Sequence, residues 1–311
     1  CLLSLTPTTE IETGEIVGSV RCVEETASTL SAPMANVPRS ELTSRMTLFR
    51  ACMDAECPEW GLAAFFGRIN QYYFTGTMQD GLLLVPRHGE AVLWVRRSQE
   101  RARDESLFPA IRPMRSYSDA LPAGATKWRT IHLETERAPL ALVERFRKHF
   151  ACDAITALDG VIARVRAVKS PYELAIMERC GAVHRRVQEE LVPALLREGM
   201  SEAEFAGDLN SLLVQEGHQG LVRFGMFGVE MVVGQLGFGE SSLYPTNFDG
   251  PAGCRGMGPA APVLGSPEQK LRVGDLVFVD VPYGIEGYAT DKTLVYPVSY
   301  THLTLPTHHS V

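Results

Sequence analysis

Gly274-Asp275-Leu276-Val277-Phe278-Val279-Asp280-Val281-Pro282-Tyr283-Gly284-Ile285-Glu286-Gly287-Tyr288-Ala289-Thr290-Asp291-Lys292-Thr293 decides how the chain is read. Two strand-like runs flank a Gly-rich turn, the pattern of an antiparallel hairpin. With the turn centred on Ile285-Glu286, cross-strand partners share an index sum. Gly284 then faces Gly287, Pro282 faces Ala289, and Asp280 faces Asp291. Directly opposed residues point to one face, with Cβ atoms about 4.5–5.5 Å apart. Two carboxylates so placed repel, and Asp280 lies in an apolar strand where a lone charge is costly. A cation between them removes both penalties. Paired carboxylates can also bridge two divalent metals that share a water-derived hydroxide. The competing reading is a hairpin whose two Asp meet water or a salt-bridge partner. The apolar strand, the opposition and the flanking glycines favour the metal.

Upstream of the hairpin, two helix starts carry double signals. Ser170-Pro171-Tyr172-Glu173 combines a capping box with Pro at the first helical position, and Ser201-Glu202-Ala203-Glu204 is a second box. Leu174, Met177, Val187, Leu191 and Leu195 predict the apolar face of the first helix, which ends at Gly199. Phe205, Leu209, Leu212 and Leu213 predict that of the second, closed by Gly217. Strands are expected over 221–233, 276–281 and 288–296. Helices followed by antiparallel strands imply α+β. Further upstream, strands and helices alternate. A helix is expected over 39–53, with Leu42, Met46, Phe49 and Met53 on one face. Strands are expected over 62–66, 82–86, 91–95 and 130–133, the middle two as a hairpin, before a helix over 139–149. This alternation up to about residue 160 predicts an α/β domain, with the junction between Asp159 and Ser170.

The 311 residues fit about two domains, and 45% hydrophobic against 22% charged residues supports a core in each. No run of about 18 apolar residues exists to span a membrane. The net charge of −7, without a basic stripe, argues against a nucleic-acid partner. Seven scattered cysteines with no C-x-x-C fit reduced thiols and a cytoplasmic location better than a disulfide scaffold. Both ends read as foreign to the fold. Residues 1–36 form one such segment, and the tail 299–311 resembles translated adapter read-through. His302, His308 and His309 in that tail read as part of an unstructured end. His184, beside Arg185 and Arg186, reads as a solvated helix face, and His218 as a capping residue. Cys254 has no His neighbour to make it a nucleophile.

Asp280, Gly287-Tyr288 and Asp291 resemble the first metal motif of the M24 metallopeptidases, the aminopeptidase P, prolidase and creatinase group with the pita-bread fold. Asn70-Gln71-Tyr72-Tyr73-Phe74-Thr75-Gly76-Thr77 resembles the creatinase/aminopeptidase P N-terminal domain. Arg166-Ala167-Val168-Lys169-Ser170-Pro171-Tyr172-Glu173 resembles the entry to the catalytic domain. The resemblance covers roughly residues 38–298. It implies an α/β N-terminal domain over 37–162 and an α+β pita-bread catalytic domain, truncated, over 163–298. It also implies an Xaa-Pro aminopeptidase acting on peptides, with a homodimer as candidate assembly. Two divalent ions (Mn, Co or Zn) would be held with Asp280 ligating one and Asp291 bridging both. The family's remaining ligands, a His and two Glu, are expected after residue 298, so this chain reads as an inactive fragment, and no catalytic residue is assigned. Leu294 stands where the family commonly has Arg. No His occurs between His218 and His302, where the family's proton-handling His is expected; Ser241 to Asn247 occupy that region. The alternatives are a creatinase-type C–N hydrolase or lyase of the same fold, and a non-catalytic binding module that retains it.

Overall fold

The computed structural model describes residues 36–299 apart from 123, 125–126, 224–232 and 247–252. The readings of the two ends, including the three tail histidines, lie outside the described residues save for Asn36 and Ser299. Helix α1 (Arg39–Glu56) buries Leu42, Met46, Phe49 and Met53, the stripe predicted from spacing. Strand β1 (Leu62–Phe65) follows, then helix α2 (Arg68–Thr75), which ends on the left-handed Gly76. Strands β2 (Gly81–Pro86) and β3 (Val92–Val95) form the expected hairpin. Helix α3 (Gln99–Glu105), β4 (Ile111–Pro113), β5 (Trp128–Leu133), α4 (Leu140–Arg147), β6 (Cys152–Ala157) and α5 (Asp159–Ala167) complete this part.

The six strands make one sheet in the order β4-β3-β2-β1-β5-β6. All run parallel except β2, which pairs antiparallel with both β1 and β3. Alternation along the strands divides the sheet between two cores. Ala63, Phe65, Leu83, Val85 and Leu93 face α1, α2 and α5. Leu62, Ala64, Leu82, Leu84 and Ile131 face Phe146 and Phe150, on and just after α4. Helices on both faces of a mostly parallel sheet are the α/β layering expected from the alternation. Helices α2, α3 and α5 and strands β4 and β6 are additional to the expected elements; each is nine residues or shorter, too short for periodicity to declare itself.

Helix α6 (Pro171–Arg186) starts on the predicted capping box: Ser170 Oγ accepts from Glu173 N, and Glu173 Oε2 accepts from Ser170 N. Its buried face differs from the one expected. Ile176, Cys180 and His184 point inward, while Leu174 is exposed. The reason is that Glu173, not Leu174, is drawn into the interior by charged partners described below. A π-turn at Val187–Leu191 then shifts the phase by one residue, so that Val187, Gln188 and Val192 continue the buried stripe into α7 (Val192–Leu195). Helix α8 (Glu202–Gln215) keeps both its box and its predicted Phe205, Leu209 and Leu213 face. Each of those side chains contributes about 1.5–3 kcal/mol by burial.

Three antiparallel strands pack on α6 and α8: β7 (Gln235–Phe238), β8 (Leu276–Ile285) and β9 (Tyr288–Pro297), in that order. Val277, Val279, Val281, Tyr283, Leu236 and Phe238 form the helix-covered face. Of the strand expected over 221–233, residues 221–223 are not in a strand and 224–232 lie outside the described residues.

The hairpin register corrects the one derived from sequence. Ile285 pairs with Tyr288, so the turn is Glu286-Gly287 and not Ile285-Glu286. Asp280 therefore faces Thr293, and Asp291 faces Pro282. Both turn residues have positive φ, 50° at Glu286 and 84° at Gly287, as a two-residue type I′ hairpin requires. Only Gly takes that conformation freely, which is why the turn settles on Gly287. A Cβ at Gly287 would also lie 2.9 Å from Tyr72 Cε1. Gly287→Ala is expected to cost about 1–2 kcal/mol, read as a lower urea midpoint; an unchanged midpoint would contradict this turn.

Candidate metal centre

The corrected register keeps the two carboxylates on one face, because the shift is by two residues and side chains alternate with a period of two. Asp280, Pro282 and Gly284 on β8 share that face with Ala289, Asp291 and Thr293 on β9. Asp280 and Asp291 are thus diagonal neighbours, with Cα atoms about 7–8 Å apart, rather than directly opposed. The wider spacing leaves room for an ion between the carboxylates. Asp280 is 8% exposed, whereas Asp291 is solvent-accessible on the outer strand β9. Thr293 Oγ1 donates to Asp280 Oδ1, fixing one carboxylate oxygen. Desolvation first, and then the negative charge of Asp280, raises the Asp291 carboxyl above its ordinary range; the Lys292 N–H offsets part of this.

A residue that sequence reasoning missed joins them. Gln235 pairs with Asp280 across β7 and β8, so it lies on the same face. Its side chain is completely buried, and its Oε1 has no hydrogen-bond partner among the described residues. Its Nε2 reaches Thr246 Oγ1 at 3.3 Å. A buried carbonyl without a donor is costly. The signal in the sequence was a Gln inside the apolar run Val232-Val233-Gly234-Gln235-Leu236. Gly234 permits the approach, since a Cβ there would fall 2.4 Å from Asp280 O. Two carboxylates and an orphaned amide oxygen are hard oxygen donors of the kind divalent cations take, so the residues present fit such an ion. Among the described residues no group of three or more His, Cys, Asp or Glu could hold a metal by itself.

The histidines take structural places. His184 is buried, contrary to the solvated face expected for it. It shares a hydrogen bond with Thr290 Oγ1 at 2.9 Å and stacks on Tyr283. His218 caps α8 as expected, its backbone N–H donating to Leu213 O at 2.9 Å just after the left-handed Gly217, and its Nδ1 also accepts from Gly284 N at 2.8 Å. Burial pushes the Cys254 thiol up to about 11, consistent with an unreactive cysteine. Leu294 faces Val279 on the helix-covered side, away from the carboxylates.

The hairpin tip is pinned to the first sheet's helices. Buried Arg45 on α1 donates to Glu41 Oε1 (2.7 Å), to Tyr73 O (2.8 Å) and to Tyr288 Oη (2.9 Å). Tyr288 Oη in turn donates to Glu173 Oε1 at 2.9 Å. Tyr72 Oη donates to Glu286 O at 3.1 Å, within the turn itself. Burial alone would lower Arg45, but Tyr288, Glu41 and Glu173 more than offset it, so the guanidinium stays charged. Burial is also the main reason the Tyr288 phenol is strongly raised and stays neutral.

Residues 48–168 match the creatinase/prolidase N-terminal domain, and residues 175–304 match metallopeptidase family M24. The chain thus carries a creatinase/prolidase-type N-terminal domain over the first stretch and an M24 peptidase domain over the second. It is 34% identical over 144 residues to a probable dipeptidase PepE of Mycobacterium tuberculosis, an alignment covering 44% of this chain and 30% of that protein. The chain thus matches less than a third of the length of its curated relatives. The fold is shared with the prolidase of Pyrococcus horikoshii, at a TM-score of 0.64 and 19% identity over 82% of this chain and 65% of that one. It is shared too with the dipeptidase PepE of Mycobacterium ulcerans, at 0.60 and 23% over 85% and 66%.

A pH effect follows from His184. Desolvation first, then the nearby charge of Lys292, lowers it to about 4. Its unfolded value is about 6.5. The neutral imidazole is therefore favoured in the fold, and its full contribution is present above about pH 6.5. That contribution is lost as pH falls towards 4, by up to about 3 kcal/mol. Melting temperature should fall from pH 7.5 to 5 more steeply in the native chain than in His184→Gln. His132 and His218, lowered by burial, add slope in the same direction in both proteins. Equal slopes in both proteins would contradict the assignment.

Proposed function

We propose that this chain carries part of the active centre of an Xaa-Pro metallopeptidase, with Asp280 ligating one divalent ion and Asp291 bridging to a second. The observation that carries this reading is the common face of Asp280, Asp291 and the orphaned oxygen of Gln235. When bound, a divalent pair supplies a hydroxide nucleophile at neutral pH and polarises the peptide carbonyl. The chain's own residues would do the positioning. Thr293 holds the Asp280 carboxylate, and the apolar strand around Asp280 lowers the local dielectric. The names of the relatives, prolidases and dipeptidases, favour a dipeptide with proline in the second position; aminopeptidase action on longer peptides is the finer alternative within this reading. Manganese, cobalt or zinc are the candidate ions, and the cytoplasm the candidate compartment. Among the described residues no helix is long and apolar enough to cross a membrane.

Among the described residues, two carboxylates and an amide complete neither metal's shell. The 311-residue chain is therefore proposed to bind Mn²⁺ weakly and to turn over no Xaa-Pro dipeptide. Calorimetric titration with MnCl₂ should give a dissociation constant of about 0.1–1 mM, weakened about tenfold or more in Asp280→Asn. Identical isotherms for the two proteins, or robust Mn²⁺-dependent cleavage by the native chain, would overturn the proposal.

The proposed domain cut lies between Asp159 and Ser170. Within that window α5 packs Val161, Ile162 and Val165 into the core shared with α1, and Val168 is 77% exposed. Limited proteolysis should nick first at 168–170. First cleavage within α6 would count against the cut.

A further inference from the structure

A second concavity lies on the first sheet, apart from the carboxylate hairpin. It has a volume of about 570 Å³, and Arg96, Arg115, Arg145, Lys148 and His149 line it with Asp80 as the sole carboxylate among the lining residues. Four permanent cations against one carboxylate leave a formal charge of +3 there (4 − 1), in a chain whose net charge is −7. Among the described residues, none of these four cations is in an ion pair; Arg96 instead lies over the Tyr117 ring, 4.8 Å from its centroid. The nearby Asp119 is engaged by the backbone N–H groups of Arg115 and Ser116. Like charges gathered in a concave site repel one another and focus an attractive field on anions.

The position adds an independent argument. Phe66 directly follows β1, Arg96 follows β3, and Arg115 lies two residues past β4, so the concavity sits outside the carboxyl ends of three parallel strands. Arg145, Lys148 and His149 come from α4 and the residues after it, the segment that joins β5 to β6. In the order β4-β3-β2-β1-β5-β6 the chain reverses its direction of travel across the sheet between β1 and β5. Open α/β sheets place their ligands outside the carboxyl ends of the strands; Phe66 borders the reversal, and the rest of the concavity extends from it over the ends of β3 and β4. Phe66 and Tyr117 add an aromatic wall, in edge-to-face contact with ring centroids 6.3 Å apart.

We propose that this concavity binds a small molecule carrying two or more oxyanion groups, phosphoryl or carboxylate. Arginine forks recognise either group through paired N–H donors. The site is separate from the carboxylate hairpin and does not depend on the peptidase reading. Titration of the full chain, freed of metal on a chelating resin, with tripolyphosphate, and separately with citrate, in a buffer without polyanions, tests it by calorimetry. Saturable one-to-one binding is expected, and the tighter of the two probes identifies the oxyanion. The double substitution Arg115→Gln/Arg145→Gln should weaken it at least tenfold. Arg97→Gln/Arg147→Gln, two exposed arginines outside the concavity, and Asp280→Asn should leave it unchanged. Melting temperatures within about 2 °C of native would show that the variants fold. Absence of saturable binding, a stoichiometry above one, or equal weakening by the control pair would overturn the proposal.

Discussion

The two-residue turn at Glu286-Gly287 fixes where everything on the hairpin stands. Its positive φ angles allow one register, and that register places ten residue pairs from Ile285–Tyr288 out to Leu276–Pro297. A slip of β9 by one residue would carry Asp291 to the helix-covered face, opposite the side on which Asp280 stays. The turn is held from outside as well as by its own geometry. Tyr72 bonds its backbone, and Arg45, Tyr288 and Glu173 form a buried relay beside it. That relay is charged and buried, so loss of one member would leave its partners uncompensated, which is costly in a desolvated setting. The price of burying Glu173 is visible in α6, whose apolar stripe is rotated away from Leu174 to accommodate it.

The two faces of the small sheet divide the work. One is closed by α6 and α8 and satisfies its polar groups internally: His184 with Thr290, His218 with Gly284 N, Tyr296 with Gln188. The other collects Asp280, Asp291, Thr293 and Gln235, and leaves one buried oxygen without a donor among the described residues. Like-charge repulsion and an unsatisfied carbonyl on one surface are both relieved by a single cation. This convergence of two unrelated penalties gives the site more weight than the acidic pair alone.

Much of this was legible in the sequence, and the failures have physical causes. The capping boxes at Ser170 and Ser201 marked both helix starts because their signal is local. The α1 and α8 faces followed from spacing. The shared face of Asp280 and Asp291 survived an error in register because parity, not opposition, decides which side a strand residue faces. The turn centre was misplaced because Gly284 and Gly287 both offered themselves as turn residues; only the φ requirement of a type I′ turn separates them. His184 was misread because its flanking arginines suggested solvent, whereas the stripe it belongs to is set by Ile176 and Cys180. Gln235 was out of reach, since its importance lies in its pairing with a strand some forty residues later.

The central claim is that the Asp280, Asp291 and Gln235 side chains surround a cation position. Crystals of the chain soaked in MnCl₂ and measured at the manganese absorption edge address it directly. An anomalous peak between the two carboxylates, within about 2.6 Å of an oxygen from each, is the predicted result. Well-ordered carboxylates with no peak between them, or manganese bound only elsewhere on the molecule, would contradict it.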